Sequence, residues 1–195
     1  MKFSTTGNPD GSIIVLLHGG GLSDWSWQPI VNLLANDYCV VTSIIDGHGA
    51  DWAETFLSIQ DSADKLIHYI ENTLGGRVFV LGGMSLGAQI AIEVLSRRVD
   101  IAQYAIIESA LVLPVQGMKL LARPLYTLLY GLIKQQWYSQ IQAKSLLLPT
   151  EMHEAYYRDS AKMSRESLVN LVISNSDYSL KLAIAATSAQ VLIVV

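Results

Sequence analysis

The run Val78-Phe79-Val80-Leu81-Gly82-Gly83-Met84-Ser85-Leu86-Gly87 leaves this chain few ways to fold. A short apolar strand stops in the pattern G-x-S-x-G, and Ala88, Ile90, Ala91, Val94 and Leu95 follow at helical spacing. Strand, abrupt turn and immediate helix present a serine hydroxyl at the top of a parallel sheet. Gly83 and Gly87 flank the serine because side chains there would collide with the sharp turn and its neighbours. Ser85 is therefore the first candidate for chemistry, with Met84 beside it. The alternative is a glycine-rich turn with an incidental serine.

A second run, Ser12 to Leu17, reads as a buried strand and leads into His18-Gly19-Gly20-Gly21. A carbonyl under attack becomes an oxyanion, which is best met by backbone N–H groups already fixed in place. Gly20 and Leu86 would supply the two donors, while Gly19 and Gly21 let the backbone approach closely and His18 braces the turn. Taken alone, the same loop could be a plain turn or a phosphate cradle. No G-x-x-x-x-G-K-[ST] or G-x-G-x-x-G pattern supports nucleotide binding. A third strand, Tyr38 to Ile45, ends in Asp46-Gly47-His48-Gly49.

The segments SIIVLLHGGG, CVVTSIIDGHG and VFVLGGMSLG, in this order and spacing, resemble the α/β-hydrolase superfamily. Trp27 matches a tryptophan that often follows the HG turn in its small, cap-bearing members. The resemblance implies a mostly parallel central sheet with helices on both faces and a helical cap. It also implies a serine hydrolase of the esterase or lipase type, with Ser85 as nucleophile and an oxyanion hole at Gly20 and Leu86. A dehalogenase of this fold would need an aspartate where Ser85 stands. Neither a cofactor nor a metal is expected.

Local patterns fill in the frame. Residues 1–7 read as an edge strand before an Asn-Pro-Asp-Gly turn. A helix opens at Ser58 with Asp61 three residues on, carries its apolar stripe through Ala63, Leu66, Ile67 and Ile70, and closes at Gly75. His68 beside that stripe is read as structural. A further strand covers Tyr104 to Ser109. Residues 1–110 and 181–195 are assigned to the core, and 111–180 to a cap of helices rich in Leu, Tyr and Met. Pro114, Pro124 and Pro149 are expected to break the cap into pieces, with Thr150 and Ser164 as N-caps. Met118, Leu121, Tyr126, Tyr130 and Trp137 supply apolar surface to roof the site, which argues for a modest, apolar, ester-like substrate.

Composition narrows the partners. Of 195 residues, 51% are hydrophobic, enough for one substantial core, and the net charge of −4 with scattered basic residues leaves no footprint for nucleic acid. The single cysteine, Cys39, lies in a strand and reads as a small buried hydrophobe. No stretch reaches the ~20 apolar residues of a membrane helix, and the N-terminus lacks the apolar segment of a signal peptide, so a soluble, cytoplasmic protein is expected.

The last residues, Ala189 to Val195, read as another apolar strand. In the family pattern a loop with an acidic residue, a helix, another strand and a loop with the histidine follow that strand. A serine hydroxyl needs such a base and acid to become a nucleophile. Among the four histidines, His153 belongs to the cap, and His48 is the best substitute for a base because its loop shares a rim with Ser85, but D-G-H-G there reads first as a turn motif and a base beyond these residues is the stronger expectation. The expectation is a truncated enzyme, weak or inactive as it stands, whose exposed last strand a second copy could cover. The competing reading is a noncatalytic α/β-hydrolase-fold protein that binds a ligand or partner.

Overall fold

Parallel pairing of strands at the centre of the chain organises everything around it. The computed structural model describes the backbone of residues 1–195 and every side chain except that of Lys119. The strands are β1 (Lys2–Gly7), β2 (Ile13–Leu17), β3 (Cys39–Ile44), β4 (Val78–Met84), β5 (Ala102–Glu108) and β6 (Gln190–Val194). They form one sheet in the order β1-β3-β2-β4-β5-β6. Only β1 runs antiparallel, at the edge beside β3. Every other neighbouring pair is parallel.

Because successive strand residues point to opposite faces, β2 divides its side chains between two layers. Val15 and Leu17 face a core shared with α2 (Ile59–Thr73) and α3 (Leu86–Arg97), while Ile14 and Leu16 pack beneath α1 (Gln28–Leu34) with Val31 and Val40. Helices thus cover both faces, as parallel sheets require. Cys39 is a buried free thiol. Trp27 packs on the α1 side of the sheet.

Helix α2 follows its sequence signals closely. The Ser58 hydroxyl accepts a hydrogen bond from the Asp61 N–H at 3.1 Å, and the buried stripe runs through Ile59, Ala63, Leu66, Ile67 and Ile70. Past the end, Gly75 and Gly76 take φ values of 78° and 85°, and the Gly76 N–H returns to the Ile70 carbonyl at 2.9 Å. That left-handed pair is open to glycine at no steric cost.

The described backbone of residues 111–180 carries no strand. It holds α4 (Met118–Leu129), α5 (Gln136–Ser145), α6 (His153–Ser160) and α7 (Arg165–Asp177). Two local expectations fail here. Pro124 lies inside α4 rather than ending it. Its ring forfeits one ladder hydrogen bond, but α4 is held along its length against α7. Thr150 is not an N-cap: it is the first residue of a 3₁₀ turn and its side chain caps nothing, the turn being entered through Pro149. Ser164 does cap α7, its hydroxyl accepting from the Ser167 N–H at 3.0 Å. Strand ends shift by one to three residues: β5 begins at Ala102, β3 spans Cys39–Ile44, and β4 runs on to Met84. Beyond α7 the chain returns to the sheet as β6, whose residues are all exposed.

Candidate active site

Strands β2, β3, β4 and β5 all end at the same edge of the sheet, where parallel α/β folds open a crevice. Ser85 stands there at φ 51° and ψ −111°, a left-handed conformation that costs a non-glycine residue energy. Surrounding contacts hold it. The Ser85 N–H donates to the Glu108 carbonyl at 2.8 Å, continuing the β4–β5 ladder, and its carbonyl accepts from Gln89 N–H at 3.0 Å to begin α3. A Cβ at Gly83 would lie 2.6 Å from the Ala88 nitrogen, and one at Gly87 would lie 2.7 Å from the His18 carbonyl oxygen. Both glycines are thus demanded by close backbone approach. That approach also sets the start of α3 directly against the end of β2.

The loop after β2 is pinned by a buried imidazole. His18 is completely buried; its Nε2 accepts from the Ile45 N–H at 3.0 Å, and its Nδ1 lies 2.9 Å from the Gly19 carbonyl. An accepting Nε2 makes Nδ1 the protonated nitrogen. Burial, and secondarily the nearby His48, push the His18 pKa down to about 3, so the ring stays neutral. Gly19 packs near Met84, Gly20 lies under the Leu171 side chain, and Gly21 takes φ 77° against the ring of Tyr156. The N–H groups of Gly20 and Leu86 donate to no other described group, and at Leu86 this follows from its place at the first turn of α3.

The Asp46-Gly47-His48-Gly49 turn is a charged anchor. Burial works against the Asp46 carboxylate, yet Lys65 Nζ at 2.6 Å and the Met1 amine hold its pKa below the ordinary range. His48 is buried, with Nδ1 2.9 Å from the Asp46 carbonyl, and burial lowers its pKa against that hydrogen bond. Its Nε2 has no hydrogen-bond partner among the described residues, and its ring lies 5.2 Å from that of His18. No hydrogen bond joins His48 to Ser85. Its neighbours are the loop-bracing histidine and Phe56, the latter at 6.4 Å.

Polar ties fasten the helices of residues 118–177 over this edge. Ser167, Asn170 and Ser174 form a stripe on α7 at helical spacing. The Ser167 and Ser174 hydroxyls accept from the N–H groups of Phe56 and Ile59, and Asn170 donates to the Phe56 carbonyl at 3.0 Å. The Trp25 indole N–H, on the loop after β2, donates to Asp159 of α6 at 2.8 Å. These ties were absent from the sequence reading, although Ser167, Asn170 and Ser174 recur at helical spacing among Leu168, Val169, Leu171, Val172 and Ile173, which was a usable signal. A cavity of about 200 Å³ is left between Gly20, Gly21 and this layer. Of the expected roofing residues only Tyr126 lines it; Leu121 and Trp137 face solvent, and the Tyr130 hydroxyl donates to the Met163 carbonyl. The outer faces of these helices keep apolar residues exposed, among them Leu120, Leu128 and Ile141.

Comparison with known proteins places this geometry in context. The model of the alpha/beta hydrolase family matches residues 14–193. Two pimeloyl-[acyl-carrier protein] methyl ester esterases are similar in sequence. That of Aliivibrio salmonicida is 33% identical over 76 residues, covering 35% of this chain and 29% of the relative. That of Nitrosomonas europaea is 34% identical over 93 residues, covering 48% and 34%. The matches thus span about a third of the length of these curated relatives. Among solved structures, a thermophilic esterase from Thermogutta terrifontis superposes with a TM-score of 0.79 at 17% identity, over 98% of this chain and 74% of its own. No helix among the described residues is long and apolar enough to cross a membrane.

Proposed function

Because the chain belongs to the alpha/beta hydrolase family, we propose that it is a carboxylic ester hydrolase acting through an acyl-enzyme on Ser85. The carrying observation is the strained Ser85 at φ 51°, held between β4 and α3 by two glycines that admit no Cβ. Ser85 Oγ loses its proton to a base and attacks the ester carbonyl carbon. The Gly20 and Leu86 N–H groups hold the oxyanion. The tetrahedral intermediate then collapses, the departing alcohol takes the proton, and water hydrolyses the acyl-serine by the same route. The esterase names of the sequence relatives support this reaction class.

The base and its orienting acid are proposed to be supplied from outside these 195 residues. His48 is buried and not hydrogen-bonded to Ser85, and His18 is occupied at both nitrogens. The chain alone should therefore turn over a p-nitrophenyl ester only feebly, at the level left when a triad partner is removed, ~10³ to 10⁴ over water in serine proteases. Turnover far above that level, abolished by Ser85→Ala, would show that a base is present here. Turnover untouched by Ser85→Ala would remove the serine mechanism. The noncatalytic reading rests on the same unpartnered serine, and it requires that Ser85 stay unacylated even when a base is added.

A further inference from the structure

The cavity over the oxyanion loop is apolar on most of its wall. Tyr126, Ile133, Met163, Leu168, Leu171 and Val172 provide that surface. Its side-chain polar atoms come from Gln142 on α5, from Tyr156 and Ser160 on α6 and from the Tyr126 hydroxyl, and Gly20 and Gly21 add backbone polar atoms. Ser160 Oγ is turned 3.4 Å towards the Tyr157 carbonyl. Gln142 and Tyr156 make a pair of their own: the Tyr156 hydroxyl lies 3.4 Å from Gln142 Oε1, a long contact that leaves capacity on both groups. Gln142 Nε2 has no hydrogen-bond partner among the described residues. Tyr156 is buried, and that burial, helped by Tyr138, pushes its pKa up to about 12, so it stays a neutral donor. The pair sits beside the oxyanion loop, since Gly20 lines the same cavity and a Cβ on Gly21 would lie 3.5 Å from the Tyr156 hydroxyl.

Among the described residues, no Lys, Arg, His, Asp or Glu lines this cavity. A carboxylate brought here would lose its water and gain no opposite charge, which is the costly arrangement for a buried ion. A plain alkyl chain would leave the Gln142 amide and Tyr156 hydroxyl facing hydrocarbon, and sites built to hydrogen-bond a group reject analogues that lack it. A neutral carbonyl, amide or hydroxyl satisfies both residues.

We propose that Gln142 and Tyr156 are specificity-determining residues that select ester substrates carrying a second, neutral hydrogen-bonding group within a few bonds of the scissile carbonyl. This rests on the ester-hydrolase reading of the same site. A dry cavity of about 150 Å³ accepts benzene, so about 200 Å³ takes a body of roughly eight non-hydrogen atoms. The pair discriminates by the group it contacts, and the apolar wall contributes affinity without selecting among groups.

The test is binding, so it does not depend on turnover. Dissociation constants of heptan-2-one, hexanoate and 1-fluoroheptane, similar in size, are measured by ligand-observed NMR on the full chain. The ketone should bind at least about tenfold more tightly than either of the others, the ratio expected when one buried polar contact is lost. Gln142→Leu and Tyr156→Phe should each weaken the ketone and strengthen the fluoroalkane, reversing the preference; circular dichroism checks that each variant folds, and either alone carries the test. Leu171→Trp, which fills the cavity, should weaken all three probes. Equal binding of ketone and fluoroalkane, a preference unchanged in the variants, or no binding of any probe overturns the proposal. A ketone seated instead against Gly20 and Leu86 would be insensitive to both variants and counts as the same refutation. Should Ser85 resist acylation while the ketone preference holds and reverses, the hydrolase reading fails and the binding subsite stands.

Discussion

Replacing Gly87 by alanine separates local helix preference from the close approach that shapes the turn. Gly87 lies in the first turn of α3, where alanine is the better helix former by about 1 kcal/mol. On that ground Gly87→Ala should stabilise the protein. The structure reverses the sign. An added Cβ would lie 2.6 Å from the Leu17 carbonyl carbon and 2.7 Å from the His18 carbonyl oxygen, where ordinary contact begins at 3.4 Å. Both opposing atoms are backbone, and the His18 ring locks their loop to Ile45, so neither can rotate away. The end of β2 and the start of α3 would have to part by close to 1 Å. Because the opposing atoms are all backbone, the cost falls in the upper part of the ~1–3 kcal/mol range for overpacking, ~2–3 kcal/mol; after the helix preference is subtracted, the net loss should be about 1–2 kcal/mol. For a domain of this size that lowers the melting temperature by roughly 2–8 °C. Gly131→Ala is the control, because a Cβ there meets nothing within 4 Å. Urea unfolding followed by circular dichroism should show a lower midpoint for Gly87→Ala and an unchanged or higher one for Gly131→Ala. A Gly87→Ala protein as stable as the parent would refute the reasoning.

Other expectations follow from buried charges and from the ties over the site. His18 and His48 have pKa values lowered by folding, so the unfolded chain binds more protons as pH falls below about 6.5. Stability should therefore fall with acidification below pH ~6.5, for His18 down to about pH 3, by up to ~1.4 kcal/mol per pH unit for each histidine that folding keeps neutral. His18→Gln should reduce that slope by up to one proton when urea midpoints are compared between pH 5 and 7; an unchanged slope would contradict the assignment. Glu93 has a fully buried side chain, held by Arg97 at 2.6 Å and Lys181 at 3.1 Å, and it accepts from the Tyr178 hydroxyl. Glu93→Ala should cost ~3 kcal/mol, the loss seen when one partner leaves a buried pair, whereas half-exposed Lys181→Ala should cost under ~1 kcal/mol. Trp25→Phe removes the hydrogen bond to Asp159 and should cost ~1–3 kcal/mol. Limited proteolysis should then cut residues 111–180 faster while sparing α2 and α3.

What could be read from the residues and what could not divides along physical lines. The turn at Ser85 and the strand before it were legible because close backbone approach leaves glycine as the only choice at positions 83 and 87, and such constraints are written in the chain itself. Helix α2 was legible for the same reason, with a capping serine at one end and left-handed glycines at the other. The partner of the His18 ring was not legible, since the Ile45 N–H lies just past the end of β3 and carries no mark of the pairing. The least legible features are contacts between distant segments: Trp25 with Asp159, the α7 stripe with Phe56 and Ile59, and Asp46 with Lys65. Each residue type is ordinary in its own neighbourhood, and only the fold brings the partners together. Leu121 and Trp137 failed as roofing residues because the apolar content of short helices does not reveal which face turns inwards. Gln142 and Tyr156 were passed over because a single polar residue in a helix is usually a solvated one.

The most direct test of the central claim is mass spectrometry of the chain after incubation with p-nitrophenyl acetate and added imidazole, which can act as an external base. Our account predicts a single acetyl group, mapped to the peptide containing Ser85, that does not form in Ser85→Ala or in urea-unfolded protein. Acetylation spread over other hydroxyls with Ser85 unmodified, or no adduct at all, would contradict it.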